Sequence, residues 1–208
     1  MSAASLIPTP VQFQGSRLAQ RVLRGLGWRF DFDGLPALQG VVVVYPHTSN
    51  WDFPIAMLLK WSMGIELQFW CKESLFRIPL FGPWLKWIGG VPIRRNASTG
   101  AVEQMALLIR QKKERDEYFW LGLSPEGTRS YRAGWRSGFY RVALQAGVPL
   151  ALASFDYSRR LLTCRTFVNL SGDPAVDMLE IAQAFQGVKG YRPALAAPVR
   201  LISDGDKT

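Results

Sequence analysis

The chain contains one histidine, and an acid follows it five positions later in Tyr45-Pro46-His47-Thr48-Ser49-Asn50-Trp51-Asp52. An imidazole takes up and releases protons near neutral pH. A carboxylate bonded to one ring nitrogen fixes the tautomer and leaves the other nitrogen as a base. Five steps along a helix turn a side chain through roughly 140°, so His47 and Asp52 cannot meet on one straight helix. They meet if His47 lies in a loop and Asp52 in the first turn of the next helix, with Ser49 or Asn50 as its N-cap. Alone, this spacing far better describes a surface histidine beside a helix cap.

A second run, Ser124-Pro125-Glu126-Gly127-Thr128-Arg129-Ser130, offers complementary groups. Glu126 supplies a carboxylate, Gly127 lets backbone N–H groups approach a ligand, Thr128 brings a hydroxyl and Arg129 a guanidinium. Arginine grips phosphate or carboxylate through two parallel hydrogen bonds. A tight turn with an internal Glu–Arg ion pair is the structural alternative. Gly89-Gly90-Val91-Pro92-Ile93-Arg94-Arg95 ends in two cations, either an anion site or a solvated charge pair. Gly147-Val148-Pro149-Leu150 reads as a helix stop entering a buried strand.

The elements that must position these groups follow from hydrophobic patterning. Val41–Tyr45 is a buried strand ending just before His47, and Asp52–Met63 is a helix. Strands are expected at Leu67–Cys71, Val91–Arg94 and Tyr118–Leu123, and helices at Thr99–Lys113 and Ser137–Ala146. Pro149–Tyr157 and Leu161–Asn169 form two strands joined by the basic turn Ser158-Arg159-Arg160, and Met178–Phe185 is a last helix. The alternation predicts an α/β fold: a single domain with a central, mostly parallel sheet flanked by helices and a late antiparallel hairpin. Ligands in such sheets bind beyond the carboxyl ends of the strands, where His47 and Glu126 both fall. The expected layout is an arm and amphipathic helix over 1–30, the main domain over 31–200 and a tail over 201–208, with the chain after Pro198 loose and the first 13 residues a flexible or docking arm.

Gly15–Leu26 reads as the amphipathic helix, with Leu18, Val22, Leu23 and Leu26 on one side and Arg17, Arg21 and Arg24 on another. It fits either a surface helix on the core or a helix in a membrane interface. The apolar run Leu75–Ile88, with two Pro and two Trp, fits either core or an exposed patch that dips into lipid.

Composition narrows the partners. The 208 residues carry a net charge of +9 and include eight Trp and twelve Phe. A basic, aromatic-rich chain suits an anionic partner. No nucleic-acid signature is present, so a membrane surface is expected and nucleic acid is not. Cys71 and Cys164 are far apart, and with one histidine they exclude a His- or Cys-based zinc site and suit a reducing cytosol. The first ten residues lack a secretory-leader layout, and no apolar run is long enough to span a bilayer.

In order and rough spacing, four segments resemble the glycerolipid acyltransferases, the lysophosphatidic acid acyltransferases and their relatives, over about residues 40 to 155. His47-Thr48-Ser49-Asn50-Trp51-Asp52 matches that family's His–Asp block, and Gly89 to Arg95 its Gly-to-Arg block. Pro125-Glu126-Gly127-Thr128-Arg129-Ser130 matches its third block residue for residue, and Val148-Pro149 its fourth. The chain departs at Ser124, where an aromatic is usual, at Arg94, at Leu152, and at Arg136-Ser137-Gly138 in place of Lys-x-Gly.

The resemblance implies transfer of a fatty acyl group from acyl-CoA or acyl carrier protein to the hydroxyl of a glycerol-phosphate-type lipid. It implies catalysis by His47 and Asp52. Substrate binding falls to Arg94, Arg95, Glu126, Gly127, Thr128 and Arg129, with Glu126 holding a glycerol hydroxyl or positioning Arg129. No metal or cofactor is implied, and the expected location is peripheral, on the cytoplasmic side of a membrane. Alternative acceptors are another lysolipid or an amino-acid lipid; a non-catalytic basic lipid-binding domain is the alternative class. A serine hydrolase needs Gly-x-Ser-x-Gly, and Gly122-Leu123-Ser124-Pro125-Glu126 lacks the second Gly.

Overall fold

The computed structural model describes residues 14–93 and 98–202. A seven-stranded sheet forms the centre, in the order β1 (Arg29–Asp31), β7 (Leu161–Val168), β6 (Leu150–Asp156), β2 (Gln39–Tyr45), β5 (Phe119–Leu123), β3 (Gln68–Lys72), β4 (Gly90–Ile93). The five strands from β6 to β4 run parallel, while β7 pairs antiparallel with β6 and β1 parallel with β7. The late hairpin is thus present. The short edge strand β1 adds to it and straddles the boundary at residue 30 expected from sequence.

β2 sits between β5 and β6 and is buried along almost its whole length. Val41, Val43 and Tyr45 face one layer, with α4 (Ser98–Glu114), α5 (Gly138–Ala146) and α6 (Pro174–Ala184). Val42 faces the other layer. A strand covered on both faces must read as a continuous apolar run, which is why four valines stand in sequence. α1 (Arg17–Gly25) packs on α2 (Asp52–Met63) across that second layer. It buries Ala19 and Leu23, while Leu18, Val22 and Leu26 stay exposed, so only Leu23 of the expected apolar stripe enters the core.

The apolar run after β3 is divided. α3 (Phe81–Trp87) and the residue after it bury Leu85 and Ile88 against Met57 of α2. Leu80 is 89% exposed and Trp87 78% exposed. The tail after Pro198 is not loose where it is described. Ile202 donates its N–H to the Trp135 carbonyl at 2.8 Å, and Trp135 donates to Arg200 at 2.7 Å. Among the described residues, no helix is long and apolar enough to cross a membrane.

Candidate active site

The carboxyl ends of β2, β5 and β6 lie side by side, and each feeds a loop into one site. After β2 the chain turns at Pro46 and enters α2. His47 Nδ1 lies 3.0 Å from Asp52 Oδ2, with the carboxylate 2% exposed and the imidazole 20% exposed. Nδ1 donates in this pair, so the neutral ring carries its lone pair on Nε2. The expected Ser or Asn cap is not what starts the helix. Trp51 occupies the cap position with no side-chain bond, and its N–H donates to Ser49 Oγ at 3.1 Å. Asp52 itself gathers the loop, with Thr48 N and Ser49 N each donating to Oδ2 at 2.9 Å. A carboxylate in the first helical turn is also favoured by the helix dipole.

The other oxygen of Asp52 accepts from the hydroxyl of Tyr157 at 2.6 Å. Tyr157 follows β6 directly, and its ring stands edge-on to Trp28 at 4.8 Å and against Tyr191 at 5.4 Å. Burial first, then the bond to Asp52 and that residue's charge, push the phenol well above its usual range, so it stays a donor.

Glu126 lies in the loop after β5, where the sequence places it, with its carboxylate turned inward. It is 1% exposed. One oxygen accepts from the backbone N–H of His47, and the other from Ala197 N at 3.0 Å. Burial raises its carboxyl above the ordinary value, and the two backbone donors act in the opposite direction. It forms no ion pair with Arg129 among the described residues, because both oxygens point inward to the backbone. Glu126 therefore ties the loop after β2 to the C-terminal segment instead of meeting solvent. Beside it Tyr45 donates to the Ala197 carbonyl at 3.0 Å, its own pKa raised to about 12 by burial and the Glu126 charge.

Gly127 adopts φ 65° and donates to Ser124 O at 3.2 Å, closing the turn. Thr128 Oγ1 accepts from Ser130 N at 3.3 Å. Arg129 and Ser130 line a cleft of about 390 Å³ with Thr48, Ser49, Asn50, Trp51, Tyr191, Arg192 and Leu195. The structure thus brings His47, Asp52, Glu126 and Arg129 to one neighbourhood. Arg94 and Arg95 lie outside the described residues. Ser124 Oγ is buried without a hydrogen-bond partner among the described residues, so no base activates it as a nucleophile. No cluster of His, Cys, Asp and Glu suited to a metal occurs among the described residues.

Sequence reasoning did not find Tyr157, Tyr191, Arg192 or the Ala197 N–H. The expected strand Pro149–Tyr157, which ends at Tyr157, is the single signal that could have marked one of them.

A family model described as Acyltransferase matches residues 29–153. The chain is 27% identical over 126 residues to the chloroplastic 1-acyl-sn-glycerol-3-phosphate acyltransferase BAT2 of Brassica napus, covering 59% of this chain and 36% of that protein. The chain spans about a third of the length of that relative. The crystal structure of the 1-acyl-sn-glycerophosphate (LPA) acyltransferase PlsC from Thermotoga maritima shares the fold, with a TM-score of 0.50 and 17% identity over 81% of this chain and 77% of that one.

Proposed function

The chain belongs to the acyltransferase family, and on that premise we propose that it moves a fatty acyl group from a thioester to a lipid hydroxyl. The donor is acyl-CoA or acyl carrier protein. The acceptor is a glycerol-phosphate-type lipid such as a 1-acyl-glycerol 3-phosphate, and the product enters phospholipid biosynthesis. The observation that carries this reading is the His47–Asp52 pair, Nδ1 to Oδ2 at 3.0 Å, in a loop that also walls the cleft holding Arg129.

The steps follow from the groups present. Asp52 holds Nδ1–H, and Nε2 takes the proton of the acceptor hydroxyl as its oxygen attacks the thioester carbonyl carbon. The tetrahedral adduct collapses, the C–S bond breaks, and the departing sulfur takes the proton back from the imidazolium. A thiolate leaves readily, so no acyl-enzyme is needed, in keeping with the unactivated Ser124. The N–H groups of His47, Thr48 and Ser49 already donate to carboxylates. The developing oxyanion is therefore stabilised by other donors of the site. Arg129 binds the acceptor phosphate, with Arg94 and Arg95 as further cations.

The enzyme works as a peripheral protein on the cytoplasmic side of a membrane. Exposed Leu18, Val22, Leu80 and Trp87 and the net charge of +9 support that location.

The test is product analysis by mass spectrometry with purified protein, both classes of thioester and a panel of lysolipid and amino-acid-lipid acceptors. Transfer to the glycerol phosphate lipid is expected, and His47→Ala should lower it by roughly 10²–10⁴-fold. Unchanged transfer by H47A would remove His47 as the base.

A further inference from the structure

The family match ends at residue 153, yet the cleft does not. Tyr191, Arg192 and Leu195 form part of its wall. This segment is fixed to the catalytic loop by its backbone. Arg192 N donates to Thr48 Oγ1 at 3.2 Å, and the Lys189 carbonyl accepts from Tyr157 N at 2.9 Å. Gly190 approaches the loop so closely that a Cβ there would stand 2.6 Å from Thr48 Oγ1 and 2.9 Å from Pro46 Cγ. The position of Arg192 is therefore set by the same loop that carries His47.

Arg129 lines the cleft from the loop after β5. Neither Arg129 nor Arg192 has a carboxylate partner among the described residues. None of the other residues lining the cleft is an Asp, Glu, Lys or Arg. Two arginines without a carboxylate partner thus line one cleft, and an anion held between their guanidinium groups would offset the like charges. Each guanidinium matches two oxygens of a phosphate. A phosphomonoester has three terminal oxygens and a charge of about −1.5 to −2 at neutral pH. A phosphodiester has two and a single charge, and an uncharged glycerol headgroup offers neither.

We propose that Arg192 is a specificity-determining residue: with Arg129 it forms a two-guanidinium clamp that selects acceptors ending in a phosphomonoester over phosphodiester and uncharged acceptors. This rests on the acyl-transfer reading and assigns its acceptor class to a residue outside the matched family span.

The test compares the full chain with Arg192→Ala and Arg192→Lys in steady state, with acyl-CoA and three acceptors: 1-acyl-glycerol 3-phosphate, lysophosphatidylglycerol and monoacylglycerol. Arg110→Ala, exposed on α4, controls for loss of one positive charge. The wild type should prefer the phosphomonoester. R192A should raise KM for it by about tenfold or more, leave kcat within about threefold, and change KM for the other two acceptors little. R192K, which keeps the charge and loses the fork, should fall between. The clamp is refuted if R192A leaves the phosphomonoester KM unchanged, if R110A raises it equally, or if all three acceptors weaken together. A wild type that acylates none of them overturns the acyl-transfer reading itself, and the clamp with it.

Discussion

Asp52 accepts four hydrogen bonds, from His47 Nδ1, Thr48 N, Ser49 N and the Tyr157 hydroxyl. Such saturation is what a buried carboxylate requires. It also fixes the orientation of the imidazole through Nδ1. Tyr157→Phe keeps the ring against Trp28 and Tyr191 and deletes one donor. Hydrogen bonds to charged groups contribute about 1.5–3 kcal/mol. We expect turnover to fall by about tenfold in Y157F, with KM for the thioester within about twofold. Steady-state kinetics on the folded variant checks this, and a full-rate Y157F would show that Asp52 needs no third partner. The His–Asp pair was legible in the sequence because it is local. Tyr157, Arg192 and Ala197 were not, because their hydrogen bonds to Asp52, Thr48 and Glu126 span 105, 144 and 71 positions. No spacing rule reaches that far.

The elements read most clearly where one force dominates. α2 runs over Asp52–Met63, the span expected from the sequence, ending at Gly64 in the left-handed conformation. β2 follows from its valines. β1 escaped notice because Arg29-Phe30-Asp31 is short and carries two charges, and it pairs along one edge only. α3 escaped because Gly82 and Pro83 stand in its first turn, where a proline is in fact tolerated. The segment after α6 has neither period. It is held by single contacts to the loops it covers, which its composition cannot announce. Gly190 is its tightest point. Gly190→Ala places a methyl group in a space already filled by Thr48 and Pro46. Overpacking of this kind costs typically about 1–3 kcal/mol. The segment then lifts from the loop after β2, so acyl transfer in G190A should fall together with a Tm drop of a few degrees. Calorimetry and the same assay decide it; a variant as stable and as active as the wild type would mean that the segment does not brace the loop.

Across the whole molecule, polarity follows from strand direction. Five parallel strands point their carboxyl ends one way, so the loops bearing His47, Glu126, Arg129 and Tyr157 share one rim. The apolar surface adjoins that rim. Phe53, next to Asp52, packs against Trp84 of α3 with ring centroids 6.4 Å apart, and Leu80 and Trp87 stand out into solvent from the ends of the same helix. A bilayer under α3 would present a lipid headgroup near the catalytic loop. Leu80 is 89% exposed, so Leu80→Asp tests this face without disturbing the core. Wild type is expected to float with anionic vesicles at low salt and less at high salt. L80D should float less and lose about tenfold in rate on bilayer-held acceptor, while keeping its rate on a water-soluble short-chain acceptor. A wild type that stays at the bottom at low salt removes the membrane from the account.

The way residues 190–202 bear on Thr48, Glu126 and Trp135 has a temporal side. A ribosome delivers the histidine, the acid and the Glu-Gly-Thr-Arg turn long before the segment that braces them. A nascent chain emerged to about residue 155 holds every motif of the family but neither Gly190 against the catalytic loop nor the N–H that meets Glu126. The site is therefore complete only once residues 190–202 have emerged, when the sheet, its reversed edge and the closing segment are all present in one chain.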